Sequence, residues 1–219
     1  MSTGFDQGKA DRLMDDAFQA LDQGEPEAAF KIAKILRRMK YFGAFEVEAL
    51  ACSNLGQTKQ AIDALQEGTE KCPDVWQLWQ LLGNYLSDEE RFSEAFDAYD
   101  KGLAIDESFS PSLNLNYSIG LLRSGKPTKA KSQITLVLGA PNFEEFGGSL
   151  RARIWAVNLE ALRTLGKFDE AVQCFDGIKN KDYGDNSVEE VSILWTKLAR
   201  SLFEIGRRDE AEQAALAAA

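Results

Sequence analysis

Histidine is absent from the 219 residues. That removes the commonest general base, the usual imidazole metal ligand and every histidine-dependent nucleophile, so any catalysis would fall to carboxylates, lysine or tyrosine. Cysteine is scarce: Cys52, Cys72 and Cys174 contain no Cys-x-x-Cys pair. Such odd, scattered usage fits small core hydrophobes in a reducing compartment, and neither a metal nor a cofactor is expected. Only five prolines interrupt the chain. No apolar run approaches the roughly 18 residues needed to span a membrane. The first residues carry Asp6, Asp11, Asp15 and Asp16 and no apolar core, so no secretory leader is read there. The expectation is a cytoplasmic protein without membrane insertion.

With 44% hydrophobic and 27% charged residues, the composition is that of an ordinary globular chain. The formal net charge is -10, and it is uneven: residues 1–110 hold 11 basic and 21 acidic side chains, residues 111–219 hold 14 of each. An acidic body repels nucleic acid and anionic membrane at long range, so neither is an expected partner. The acidic clusters Asp88-Glu89-Glu90, Glu144-Glu145 and Glu189-Glu190 read as solvated turns and helix starts, where acids complement the helix dipole, rather than as catalytic pairs. Gly147-Gly148 and Gly166-Lys167 lack the surroundings of a phosphate loop. Cys174 reads as a packing residue beside Phe175 rather than as a reactive thiol.

What the chain does contain is a repeat. A turn-forming residue is followed five positions later by alanine at Gly24/Ala29, Gly56/Ala61, Glu90/Ala95, Gly125/Ala130, Gly166/Ala171 and Gly206/Ala211. The spacings between successive alanines are 32, 34, 35, 41 and 40. Glycine at five of these turns suits the left-handed residue that ends a helix. Thr58, Ser93, Thr128, Asp169 and Asp209 are expected to cap the helices that follow, with Pro26 in that place in the first unit. Eleven positions before each turn stand Leu13, Phe45, Trp79, Asn114, Trp155 and Trp195, four of them bulky aromatics. A small alanine lets two helices approach while the aromatic fills the space beside it. Pro141–Gly148 and Lys179–Asn186 lengthen the last periods and read as enlarged loops. Gln133–Leu138 has the β-branched content of a strand, but Ala130, Ile134 and Val137 keep helical spacing, and helix is expected.

Trp79, Leu82, Gly83, Leu86, Ala95 and Tyr99 form the fullest copy, and the pattern resembles the tetratricopeptide repeat, a helix-turn-helix of about 34 residues. Other copies keep parts of it, among them Phe45, Ala61, Leu65 and Pro73, or Trp155, Leu162, Ala171 and Phe175. The resemblance implies an all-α fold: an α-solenoid of about six antiparallel repeats in a right-handed superhelix, with units near 10–41, 42–75, 76–110, 111–146, 152–185 and 192–219. No polar helix follows Glu212–Ala219, so the sequence reads either as truncated or as meeting another copy of itself at that edge, a possible homo-oligomer.

The resemblance further implies a non-enzymatic scaffold that binds a partner peptide or helix in a groove lined by the first helix of each pair. Groove positions fall on Gln80 and Asn84, on Leu115, Asn116, Ile119 and Arg123, on Arg153 and Arg163, and on Lys197, Arg200 and Phe203. They run from neutral polar through apolar to basic. Arginine forks match carboxylates, so an acidic or C-terminal segment is one expected ligand, unless Glu160 and Glu204 neutralise the cations. The two-carboxylate clamp of some family members would fall on Gln80, Asn84, Asn116, Arg153 and Val157, where a lysine and a second base are missing. Two further readings stand beside this one: the recruiting arm of a larger enzyme, and a self-associating structural protein.

Overall fold

The computed structural model describes residues 6–174, 178, 183 and 188–218, and among them there are helices and turns but no strand. The helices are α1 (Gln7–Asp22), α2 (Pro26–Arg38), α3 (Gly43–Asn54), α4 (Thr58–Lys71), α5 (Trp76–Asp88) and α6 (Phe92–Ile105). Then follow α7 (Pro111–Arg123), α8 (Pro127–Leu138), α9 (Gly148–Thr164), α10 (Phe168–Gln173), α11 (Val188–Glu204) and α12 (Arg208–Ala217), with a 3-10 turn at Phe143–Glu145 before α9. They form two units, Met1–Phe109 and Ser110–Ala219. The segment 133–138 is helical, as its spacing predicts.

Each helix pair is closed by one left-handed residue. Gly24, Gly56, Gly125, Gly166 and Gly206 have φ between 69 and 80°, and Glu90, at the same register position, has φ 58°. The next backbone N–H reaches back five residues to close the end of the first helix: Gln57 donates to the Cys52 carbonyl and Arg91 to that of Leu86, each at 2.8 Å, and Arg207 to that of Leu202 at 3.0 Å. This turn displaces the expected caps. Thr58 is the first residue of α4, and Ser93, Thr128, Asp169 and Asp209 are the second residues of α6, α8, α10 and α12. The cap positions belong to Gln57, Arg91, Lys126, Lys167 and Arg207, none with a side-chain cap bond. Instead, three of these residues pair with a glutamate one turn on: Arg91 with Glu94 at 2.6 Å, Lys167 with Glu170 at 2.5 Å, and Arg207 with Glu210. Pro26 does occupy the first turn of α2.

Small residues bring the helices together. In the first unit, Ala29, Ala33 and Leu36 of α2 form one fully buried cluster with Ala44, Val47 and Ala51 of α3 and Ala10 and Ala17 of α1. The Leu-Gly of the fullest repeat has a direct cause: a Cβ on Gly83 would lie 2.6 Å from the Tyr99 ring, which is itself 1% exposed. Trp79 is half-buried, its indole N–H donating to the Pro73 carbonyl at 2.8 Å and its ring lying 4.6 Å below the Lys101 ammonium.

The second unit departs from the aromatic pattern at Asn114, and a buried polar pair stands there instead. Asn114 Nδ2 donates to the Ser110 carbonyl at 2.9 Å, and its Oδ1 accepts from Gln133 Nε2 at 2.5 Å. The enlarged loop before α9 contributes to the core: Phe143 is 7% exposed and meets Trp155 edge-on at 6.1 Å. Of the second enlarged stretch, Lys179–Asn186, only Tyr183 falls among the described residues, with the Arg151 guanidinium 5.4 Å from its ring centre; Phe175 lies outside them.

Two substitutions test these constraints. Gly83→Ala forces a methyl against an immobile ring and should lower unfolding stability by about 1–3 kcal/mol. Glu90→Gly relieves a left-handed non-glycine residue, and on balance with the added chain entropy should raise stability by about 0.5–1 kcal/mol. Urea denaturation of both variants measures the two shifts.

Candidate functional site

Apart from Arg123 at the end of α7, the charged groove positions of the second unit lie on α9 and α11, and side chains of those two helices interlock. Glu160 of α9 accepts from Arg163 one turn later at 2.5 Å and from Lys197 of α11 at 2.7 Å. Burial opposes its charge, but the two donors and their positive charges prevail and hold the carboxyl at about 2. The Arg163 guanidinium is raised in turn, first by its hydrogen bond to Glu160. Two of the five cations expected to meet a ligand are therefore committed to an internal carboxylate. Arg153 and Arg200 are exposed and make no ion pair among the described residues.

Arg200 helps to wall an open cavity of about 540 Å³ between α11 and α12. Its α11 side is formed by Thr196, Ala199, Arg200, Phe203 and Glu204, and its α12 side by Arg208, Ala211, Glu212, Ala215 and Ala218. Phe203 is 63% exposed, a large apolar ring turned to solvent. Two arginines, two glutamates and Thr196 stand among alanines and Phe203, so the cavity is amphipathic rather than basic. In the sequence Glu212–Ala219 stood out as an uncovered edge, but no groove residue was placed on α12. The signal for the α12 half was the run of alanines after Ala211, readable only once α12 is known to stand beside α11.

The apolar stretch of the expected groove is core. Leu115 is fully buried among Ile134, Val137, Phe143 and Ile154, and Ile119 packs partly buried against the same cluster. The reason is the cover that Phe143 of the enlarged loop and Ile154 of α9 give it. Asn116 is half-buried and Arg123 exposed on α7. In the first unit Gln80 and Asn84 are half-buried on α5, and Asn84 Oδ1 accepts from the Tyr99 hydroxyl at 2.9 Å, so the repeat itself uses part of its capacity.

Among the described residues no group of three or more Cys, Asp or Glu side chains is placed to hold a metal ion, and no helix is long and apolar enough to cross a membrane. Cys174 is half-buried, and burial pushes its thiol up, away from the reactive thiolate.

Comparisons with known proteins agree with this architecture. Residues 77–109 match the tetratricopeptide repeat family. BtubC (BKLC) from P. vanneervenii superposes with a TM-score of 0.68 at 14% identity, covering 96% of this chain and 87% of that one. A tetratricopeptide repeat protein from Parabacteroides merdae gives 0.66 at 11% identity, with 94% and 77% covered. YrrB, described as a TPR protein with an unusual peptide-binding site, gives 0.57 at 18% identity, with 84% and 89% covered. No curated protein sequence matches. One stretch of the chain thus carries the tetratricopeptide repeat, and the fold is that of tetratricopeptide-repeat structures.

The Glu160 network sets a pH dependence. A carboxyl lowered from 4.5 to about 2 contributes its full stabilisation above about 4.5 and loses it as pH falls towards 2. Wild type and Glu160→Gln should therefore differ most in unfolding stability near neutral pH and converge below pH 4.5; a constant gap down to pH 2 would count against the double pairing.

Proposed function

We propose that this protein is a non-enzymatic interaction scaffold that holds a segment of a partner protein in the second unit, against the first-helix positions of α9 and α11. The observation that carries this reading is the pair Arg200 and Phe203 on the wall of the open cavity, a cation with no ion pair among the described residues beside an exposed aromatic ring. Aromatic rings and arginines dominate binding energy at protein interfaces, and one of each side by side gives an anchor and a carboxylate partner together. Arg153, exposed on α9, extends the surface. An acidic or C-terminal segment fits these two arginines, whereas Arg163 and Lys197 take part only where a ligand carboxylate displaces Glu160. Tetratricopeptide-repeat proteins generally serve as interaction modules, and YrrB, which shares the fold, carries a peptide-binding site by its description.

Capture of partners from lysate on the immobilised chain, at two salt concentrations, tests the reading. Arg153→Ala with Arg200→Ala should reduce capture about tenfold or more and flatten its salt dependence, and Phe203→Ala should reduce it at either salt. Arg163→Ala should matter less than either. Equal capture by all variants would overturn the assignment.

A further inference from the structure

The first unit holds a carboxylate that the fold has partly dried without giving it a cation. Helix α3 carries Glu46 and Glu48, two residues apart and so on different sides of the helix. Glu48 meets Arg37 at 2.5 Å, and Arg37 reaches on to Glu67 at 2.8 Å. Glu46 is half-buried and makes no hydrogen bond or ion pair among the described residues. Burial alone acts on its carboxyl and pushes it up. Its charge therefore bears a desolvation cost that Glu48, with its cation, does not.

The surroundings of Glu46 suit a long basic side chain. Half-buried Met14 of α1 lies over the backbone of Gly43 in α3: a Cβ on that glycine would stand 2.8 Å from the Met14 sulfur. One helical turn further on come Phe18 of α1, 36% exposed, and Glu46 of α3, and a turn beyond Glu46 comes half-buried Leu50. The chain supplies no base at this face. Neither α3 nor α5 contains a lysine or arginine, and on α1 Lys9 is exposed and Arg12 donates to the Gly8 carbonyl at 3.0 Å. Helix α3 already has α1 and α5 as its neighbours in the stack, so no further helix of the array is needed to cover it.

We propose that Glu46 is a recognition point for an arginine or lysine side chain carried by a segment of a partner protein that crosses the first helices of the first unit. The cation meets the carboxylate, and its apolar stem lies along Met14, Phe18 and Leu50. Because Glu46 has already lost part of its water, the pair contributes more than one formed between two exposed groups. The charge of the unit favours such a ligand: residues 1–110 hold 11 basic and 21 acidic side chains, which draw in a basic segment. A second copy of the chain, with a net charge of -10, is repelled by the same field.

The proposal rests on the scaffold reading but uses none of the residues that carry it, so the two fail separately. The probe is a random-peptide display library selected on the immobilised full chain. Arginine or lysine should be enriched at one aligned position, and the enrichment should vanish on Glu46→Gln and turn to aspartate or glutamate on Glu46→Lys. A synthetic copy of a selected peptide should bind the wild type about tenfold or more tighter than Glu46→Gln by calorimetry. Without ligand, Glu46→Gln should leave the unfolding midpoint near neutral pH unchanged or raise it, since no internal pair is lost. A lowered midpoint would show that a cation of this chain already fills the place, and self-association lost on Glu46→Gln would name a second copy; either result overturns the proposal. Failure to select any basic residue, or a basic preference kept by Glu46→Gln, overturns it as well, while capture through Arg153 and Arg200 still stands.

Discussion

The left-handed residue that ends the first helix of each pair is the constraint on which the rest depends. Reversing a helix within a few residues requires one backbone unit in the region that L side chains enter only with strain, and the N–H after it must return to the helix it leaves. Six such turns recur at one register position, five on glycine and one on Glu90. Once each turn is set, the alanine five residues later faces the preceding helix, and the pairing of small and large side chains follows. The turn also decides which residues stand at the cap, so polar residues that look like caps in the sequence fall one or two places inside the helix.

Packing between helices follows from the size of what each leaves out. Gly83 leaves room for Tyr99, and Ala33 leaves room for α3. Where the large residue of the pattern is replaced, the structure compensates with polarity: Asn114 and Gln133 satisfy each other inside the second unit. A buried polar pair of this kind gives little net stability but fixes geometry, since either partner alone would be left unsatisfied.

Charge on the first helices is arranged for cohesion before recognition. Glu160 joins α9 to α11 and occupies two of the cations that face outwards. The exposed potential that remains is local, at Arg153 and Arg200, and beside the second of these stands an apolar surface walled by α12. The free charge of this unit therefore stands at a few points beside an apolar face rather than along a continuous basic groove.

Much of this was determined by the sequence alone. Helix content, the six turns and their alanines are local and periodic, set by the conformational freedom of glycine and by side-chain size at fixed spacing, and both can be read without knowing what lies across the gap. The candidate surface was legible only in part. Arg200 and Phe203 stood out by register, but whether a register position is open or occupied depends on side chains from other helices. Tertiary structure decided that Lys197 reaches Glu160 across 37 positions. It also decided that Phe143 from an enlarged loop fills the space beside Trp155, and that α12 supplies the second wall of the cavity. The physical reason is the same in each case: a charge or an apolar face is free or committed according to its nearest partner, and that partner is chosen by the fold.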